Sequence, residues 1–534
     1  MSPADDPKGT PIAILGDALL WAAVIALYAF PFIGLRDLYY QDEVRYGGIV
    51  ADMIARDAWA TMAIAGEPYL DKGPIYFALF RAAVDASGSN APAVFVAVNA
   101  GTLLFYIAAT YGALRLMDVS HARARLAAWI LLSLPYTAAY ANILRMDFLF
   151  AGIILLAFAV YLRGLDDDEP NSTTVEAGAL VGLAVMVKGP FGLLFPVGGA
   201  ALAMVFQGNA QRILKRDVWM SLGLAGLIVF GWFGFLVLEF GPTALRNIAE
   251  VQLVERAMQS VDGRKPWWTY LTGLPLVLLP WLAIALLALS RGIRREELDW
   301  PCVTGLAFVI VALAIMQIVA QKSVKYLFPV LPFFALFLAI AIERADRDFS
   351  GILRWGFAAI GGGMALFFFV LAGAAVAEAE WLGDLREVGS ERLFWFGLAS
   401  AVGAAIVAAS GWRTGWQRTL PVILSLIVIF SAAKGALLPD VNRLFSPRVL
   451  SAEIATVTED GETVTIFGVY RGTFSYHLSA PHRYVYDPGA AALAEGPLVL
   501  PEDLAQRFPE VVEGRVRAAE GRIEDQQIVV YTHR

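Results

Sequence analysis

Long apolar blocks separated by short polar stretches fill most of the 534-residue chain. Thirteen such blocks fall at about 11–34, 91–113, 126–141, 148–163, 175–187, 190–206, 218–240, 269–290, 300–319, 326–343, 353–378, 393–411 and 419–437. Most have the ~17–25 residues with which a helix crosses a ~30 Å hydrocarbon layer. The fifth is short. The pattern predicts a polytopic α-helical membrane protein with about 13 transmembrane helices. The blocks argue against a transmembrane barrel, whose strands are ~10 residues of alternating polarity.

Two regions break this pattern. In the long loop over 36–90, Tyr46, Ile49, Val50 and Met53 recur at helical spacing. Pro74 can open a second helix carrying Ile75, Leu79 and Ala82. Both are predicted as helices lying in the membrane plane. In the tail beyond residue 438, short β-branched runs (463–467, 483–486, 528–531) alternate with helix-like stretches at 447–458 and 502–508. That alternation predicts a small α/β domain outside the membrane. The expected layout is therefore a transmembrane catalytic domain over 1–438 and an extracytoplasmic domain over 439–534. The tail shows no nucleotide-binding glycine pattern.

Composition sharpens the class. Hydrophobic residues are 58% and charged residues 17%, against roughly 45–50% and 25% in soluble domains. A soluble enzyme, a fibrous protein and a disordered protein are excluded. A net charge of −7 lacks the basic footprint of a nucleic-acid binder. Cys302 is the single cysteine, so neither an intramolecular disulfide nor a cysteine-based zinc cluster forms. Basic clusters such as Arg115/Arg123/Arg125, Arg212/Lys215/Arg216 and Arg291/Arg294/Arg295 mark alternate loops as cytoplasmic. The N-terminus is then cytoplasmic and the first block an uncleaved span. The thirteenth span leaves the C-terminal domain on the periplasmic face of the plasma (inner) membrane.

Ionisable residues near a bilayer are costly and so are functional candidates. Here they gather at the external ends of the blocks: Asp42, Glu43, Arg45, Asp71, Lys72, Arg145, Asp147, Lys188, Glu255, Arg256, Lys322 and Lys325. Each has an ordinary explanation. Asp42 can cap a helix and Glu43 can offset its dipole. Lys72 and Lys188 can snorkel. Arg145 and Asp147, two apart, do not face each other on a helix and take separate partners. Lys322 and Lys325 share a face if helical. Trp267-Trp268 suits an aromatic belt. Their common location is what carries weight. Seven cations against five acids on a net-negative chain point to an anionic ligand at the membrane surface, best met by a lipid phosphate.

These residues resemble a known family. Asp42-Glu43-Val44-Arg45-Tyr46 is similar to the Asp-Glu-x-Arg-Tyr signature in the first external loop of aminoarabinose-transferase-like glycosyltransferases. Those enzymes belong to the GT-C superfamily, together with protein O-mannosyltransferases. Further matches follow in order: 66–72, Arg145-x-Asp147, Lys188-Gly189-Pro190, Pro266-Trp267-Trp268-x-Tyr270, and 322–332. The resemblance implies a GT-C fold and transfer of a sugar from a polyprenyl-phosphate donor to a lipid A-like or other envelope acceptor. It implies that Asp42 is the catalytic carboxylate. Glu43, Arg45, Tyr46, Asp71, Lys72, Arg145, Asp147, Lys188, Lys322, Lys325 and Tyr326 would line the substrate cavity. Two positions depart from the family. Asp71-Lys72-Gly73 stands where relatives have Glu-Lys-Pro, and 247–265 lacks the histidine many carry. No metal site or cofactor is predicted.

The expected chemistry is direct displacement at the anomeric carbon with inversion, in which cations stabilise the departing phosphate. A hydroxyl acceptor needs Asp42 as base; a phosphate acceptor does not. Three rival readings stand beside this one: a protein O-mannosyltransferase, a lipid or oligosaccharide transporter, and a structural membrane subunit. All versions that transfer sugar require the cations and Asp42 to converge at the outer face.

Overall fold

The computed structural model describes residues 10–39, 41–166, 172–242, 265–282, 286, 299–319, 322–348, 350–382 and 388–533. Eight helices among these are long and apolar enough to cross a bilayer. The chain is thus a multi-pass membrane protein, mostly helical, but the count of thirteen is not reproduced. Four of the five other blocks depart for local reasons, and the eighth lies partly outside the described residues. Pro135 splits the third into α5 (His121–Leu132) and α6 (Pro135–Tyr140), since proline has no N–H to continue the ladder. The fifth and sixth form α8 (Ser172–Lys188) and α9 (Phe191–Phe206), of 17 and 16 residues. The eighth is described in part, as α11 (Thr269–Val277). The tenth begins later than expected, as α13 (Leu331–Asp348), with 324–327 a separate 3-10 turn.

Chain packing divides the described molecule into two compact units. The first comprises Met1–Pro31, Asn99–Gly234 and Leu245–Ala436; the second comprises Phe32–Val98, Phe235–Ala244 and Leu437–Arg534.

In the first unit, α7 (Asp147–Asp166) is the most enclosed of the long helices, with 83% of its apolar window buried. An outer helix differs: in Arg216–Phe240 only 22% is buried, and Leu227 and Phe230 lie on its open side. Aromatic rings organise the core beside α7. Phe328 is ringed by Tyr106, Tyr136, Tyr140 and Phe148 at 4.9–6.1 Å between centroids. The Tyr106 hydroxyl donates to the Phe328 carbonyl at 2.6 Å. These contacts fix the 322–332 segment against α7.

The second unit joins the loop over 36–90 to the C-terminal tail. The two loop helices form as the spacing predicts: α2 (Gln41–Ala55) and α3 (Ile75–Ser87). Tyr46, Ile49, Val50 and Met53 are all buried. A two-residue hairpin, β1 (Ala63–Ile64) with β2 (Glu67–Pro68), lies between them. In the tail, five strands line up as β4-β3-β5-β7-β6. They are β3 (Val464–Phe467), β4 (His482–Val485), β5 (Leu498–Pro501), β6 (Arg515–Ile523) and β7 (Gln526–His533). β3 runs parallel to both β4 and β5, and β7 antiparallel to β5 and β6. Alternate residues feed cores on both faces: Val464, Ile466 and Val499 on one, Phe467, Leu498 and Leu500 on the other. β5 and β6 lie outside the predicted runs. Helix α16 (Thr419–Phe445) continues unbroken past residue 438.

Candidate functional site

Asp42 and the eleven residues expected to line the cavity with it fall equally into the two units. In the loop unit, Asp42 and Glu43 sit in the first turn of α2, where carboxylates suit the helix dipole. Neighbours on a helix point about 100° apart, so the two face different surroundings. The Asp42 carboxylate is 17% exposed and ion-pairs with Arg45, one turn along. It is not the helix cap. The Glu43 side chain is 0% exposed. One guanidinium nitrogen of Arg36 donates to both its oxygens, at 2.7 and 2.8 Å. Arg45 is surrounded by aromatic faces, its guanidinium carbon lying 5.8 Å from the Tyr46 ring, 5.6 Å from Tyr69 and 4.9 Å from Tyr470. Such faces attract a cation at these distances. Burial pushes the Tyr69 hydroxyl well above its ordinary pKa, against the opposing pull of Arg45, with Asp71, Tyr470 and Asp42 adding to the rise. Asp71 and Lys72 lie three to four residues before α3, and the Lys72 ammonium donates to the Asp71 carbonyl at 3.2 Å.

In the helical unit, Asp147 opens α7 and Lys188 closes α8. α8 ends there because Gly189 takes a left-handed φ of +72° and Pro190 follows, the usual helix-stop chemistry. Lys188 forms an ion pair with Asp147. Its ammonium lies 4.8 Å from the Tyr326 ring centre and 5.6 Å from that of Phe150. Lys325 lies 5.7 Å from the same Tyr326 ring. Arg145 is buried, and its backbone N–H donates to Asn99 Oδ1 at 3.3 Å. The Asn99 amide in turn donates to the Tyr140 and Ala141 carbonyls, both at 3.2 Å. Lys322 does not share a helical face with Lys325. It precedes the 3-10 turn and donates to the Val319 carbonyl at 3.1 Å. So Asp147, Lys188, Lys325 and Tyr326 cluster. Glu255 and Arg256 lie outside the described residues. Trp267 and Trp268 are exposed, as belt residues are.

No group of three or more metal-ligating side chains occurs among the described residues. Arg36, Asn99, Tyr470 and Gly472 contribute to these arrangements without any sequence motif to mark them.

Comparison with known proteins finds similarity to glycosyltransferases. A family profile described as dolichyl-phosphate-mannose-protein mannosyltransferase matches residues 16–244. An undecaprenyl phosphate-alpha-4-amino-4-deoxy-L-arabinose arabinosyl transferase of Sodalis glossinidius is 26% identical over 353 residues, 61% of this chain and 60% of that one. The Yersinia enterocolitica protein of the same description is 24% identical over 79% of this chain and 76% of its own. Among solved structures, ArnT from Cupriavidus metallidurans, bound to undecaprenyl phosphate, superposes with a TM-score of 0.75 at 16% identity, covering 96% of this chain and 98% of that one. The Archaeoglobus fulgidus oligosaccharyltransferase follows at 0.54 and 13%, covering 95% and 72%.

Proposed function

We propose that this chain is an aminoarabinose-transferase-like GT-C glycosyltransferase, which moves a sugar from a polyprenyl-phosphate donor to a lipid acceptor, with lipid A the first choice. The N-terminus is cytoplasmic in this reading, and residues 439–534 form an extracytoplasmic domain. The anomeric carbon exchanges its bond to the lipid phosphate oxygen for a bond to the acceptor oxygen, with inversion. Negative charge grows on the departing phosphate, where a fixed ammonium such as Lys188 lowers the barrier. Arg145, Lys322 and Lys325, in the same unit, extend the positive field. Asp147 and the Tyr326 ring hold Lys188 in one orientation. Asp42 removes the proton of a hydroxyl acceptor; with a phosphate acceptor it orients the group instead.

The observation that supports Asp42 most is the contrast with its neighbour. Its carboxylate is reachable at 17% exposure, whereas that of Glu43 is fully enclosed by Arg36. The test uses purified chain with undecaprenyl-phosphate-linked aminoarabinose and lipid A, read by mass spectrometry. Glycosylated lipid A supports the proposal. The mannosyltransferase profile over residues 16–244 makes polyprenyl-phosphate mannose with a serine- or threonine-rich peptide the second pair to try. Product from that pair alone would transfer the assignment to protein O-mannosylation.

A further inference from the structure

The C-terminal tail reaches the carboxylate-bearing helix through the connection between β3 and β4, residues 468–481. Tyr470 lays its ring over the Arg45 guanidinium at 4.9 Å, the nearest of the three rings. Two residues on, Gly472 has a φ of +95°, and a Cβ there would stand 2.8 Å from Arg45 Cγ and 3.2 Å from its Cα. Between them, Arg471 donates to the Glu67 carbonyl at 2.8 Å. The same connection then runs along α2. A Cβ on Gly48 would meet Ser475 at 2.6 Å, so only glycine permits the approach. The tail therefore presses on the backbone and the stem of Arg45 and covers its head.

Arg45 is the ion-pair partner of Asp42. A ring face attracts the guanidinium without offering a lone pair to compete with the carboxylate. We infer that Tyr470 and Gly472 of the C-terminal domain are positioning residues for Asp42, acting through Arg45. The domain is then part of the catalytic apparatus, and the inference rests on the role proposed for Asp42. Neither residue touches donor or acceptor in this account, so their loss acts on turnover and spares binding.

The experiment uses the full-length chain with undecaprenyl-phosphate aminoarabinose and lipid A, comparing Asp42→Asn, Tyr470→Leu, Tyr470→Phe and Gly472→Ala. Folded protein is quantified by size-exclusion chromatography and thermal melting. Tyr470→Leu and Gly472→Ala are expected to lower kcat about tenfold to a hundredfold, the usual cost of a misplaced group. Donor KM stays within about twofold, because binding contacts are untouched. Tyr470→Phe, which keeps the ring, recovers most of the turnover. Wild-type kcat in both Tyr470→Leu and Gly472→Ala, or losses matching the fraction of unfolded protein, overturns the inference. If Asp42→Asn is inactive while those two variants turn over normally, only the positioning role fails. If Asp42→Asn itself transfers at the wild-type rate, the role of Asp42 fails first.

Discussion

Asp42 and Glu43 are adjacent in sequence and opposite in circumstance. Glu43 is buried with Arg36 as its partner. Removing one member of such a pair strands a charge in the protein interior. Arg36→Ala is therefore expected to destabilise the folded chain by ~3–5 kcal/mol, seen as a lower thermal midpoint. Asp42→Asn keeps the side-chain volume at a site still 17% exposed, so it should lower the midpoint less than Arg36→Ala does, while transfer is lost. The motif Asp-Glu-x-Arg-Tyr marks both acids equally. Which one faces inward depends on how α2 rolls against its neighbours, and that is set by distant residues such as Tyr470 and Gly472. The same limit hides Asn99, whose side chain secures the backbone at Arg145 from 46 positions away.

At the scale of elements, the α8–α9 hairpin shows how a short motif places a charge. Lys188 stands at its tip, and a Cβ on Gly192 would lie 2.4 Å from the Ala184 backbone. Gly192→Val should cost about 1–3 kcal/mol, as overpacking does, and lower turnover by displacing Lys188. Melting and transfer assays on one preparation check both. The tail has its own signature in pH. Burial lowers the pKa of His477, against the opposing pull of Asp37 and the Leu38 carbonyl, with Arg448 reinforcing it. Burial likewise lowers His482, against the Ala480 carbonyl. A histidine charged less readily when folded than unfolded contributes stability above its unfolded value, near 6.5, that is lost as pH falls through the folded one. The tail should therefore unfold more easily at pH 5 than at pH 7.5, an effect diminished in His477→Gln. Helices α2 and α3 were legible because periodic apolar residues and Pro74 mark them. β5 and β6 were not. Leu498–Pro501 is only four residues long and ends in proline. Arg515–Ile523 is rich in charge, alanine and glycine, which do not favour strand, and is held by pairing with β7.

For the molecule as a whole, the polytopic class follows from hydropathy alone, because no other fold tolerates so many apolar blocks. The union of the first loop with the tail does not. It joins segments some 400 positions apart, as in the bond from Asp37 N–H to Asn442 and that from the Ser446 hydroxyl to Asp37 at 2.7 Å. Ending the chain after Phe445 should expose the α2 face lined by Gly47 and Gly48. Limited proteolysis would then cut within 36–90 at sites protected in the intact protein. Unchanged protection would mean the loop folds without the tail. The central claim is sugar transfer dependent on one reachable carboxylate. Its most direct measurement compares wild type with Asp42→Asn, equally folded, for aminoarabinose transferred from undecaprenyl phosphate to lipid A. Modified lipid A from wild type and none from the variant is the predicted result; equal product from both contradicts it.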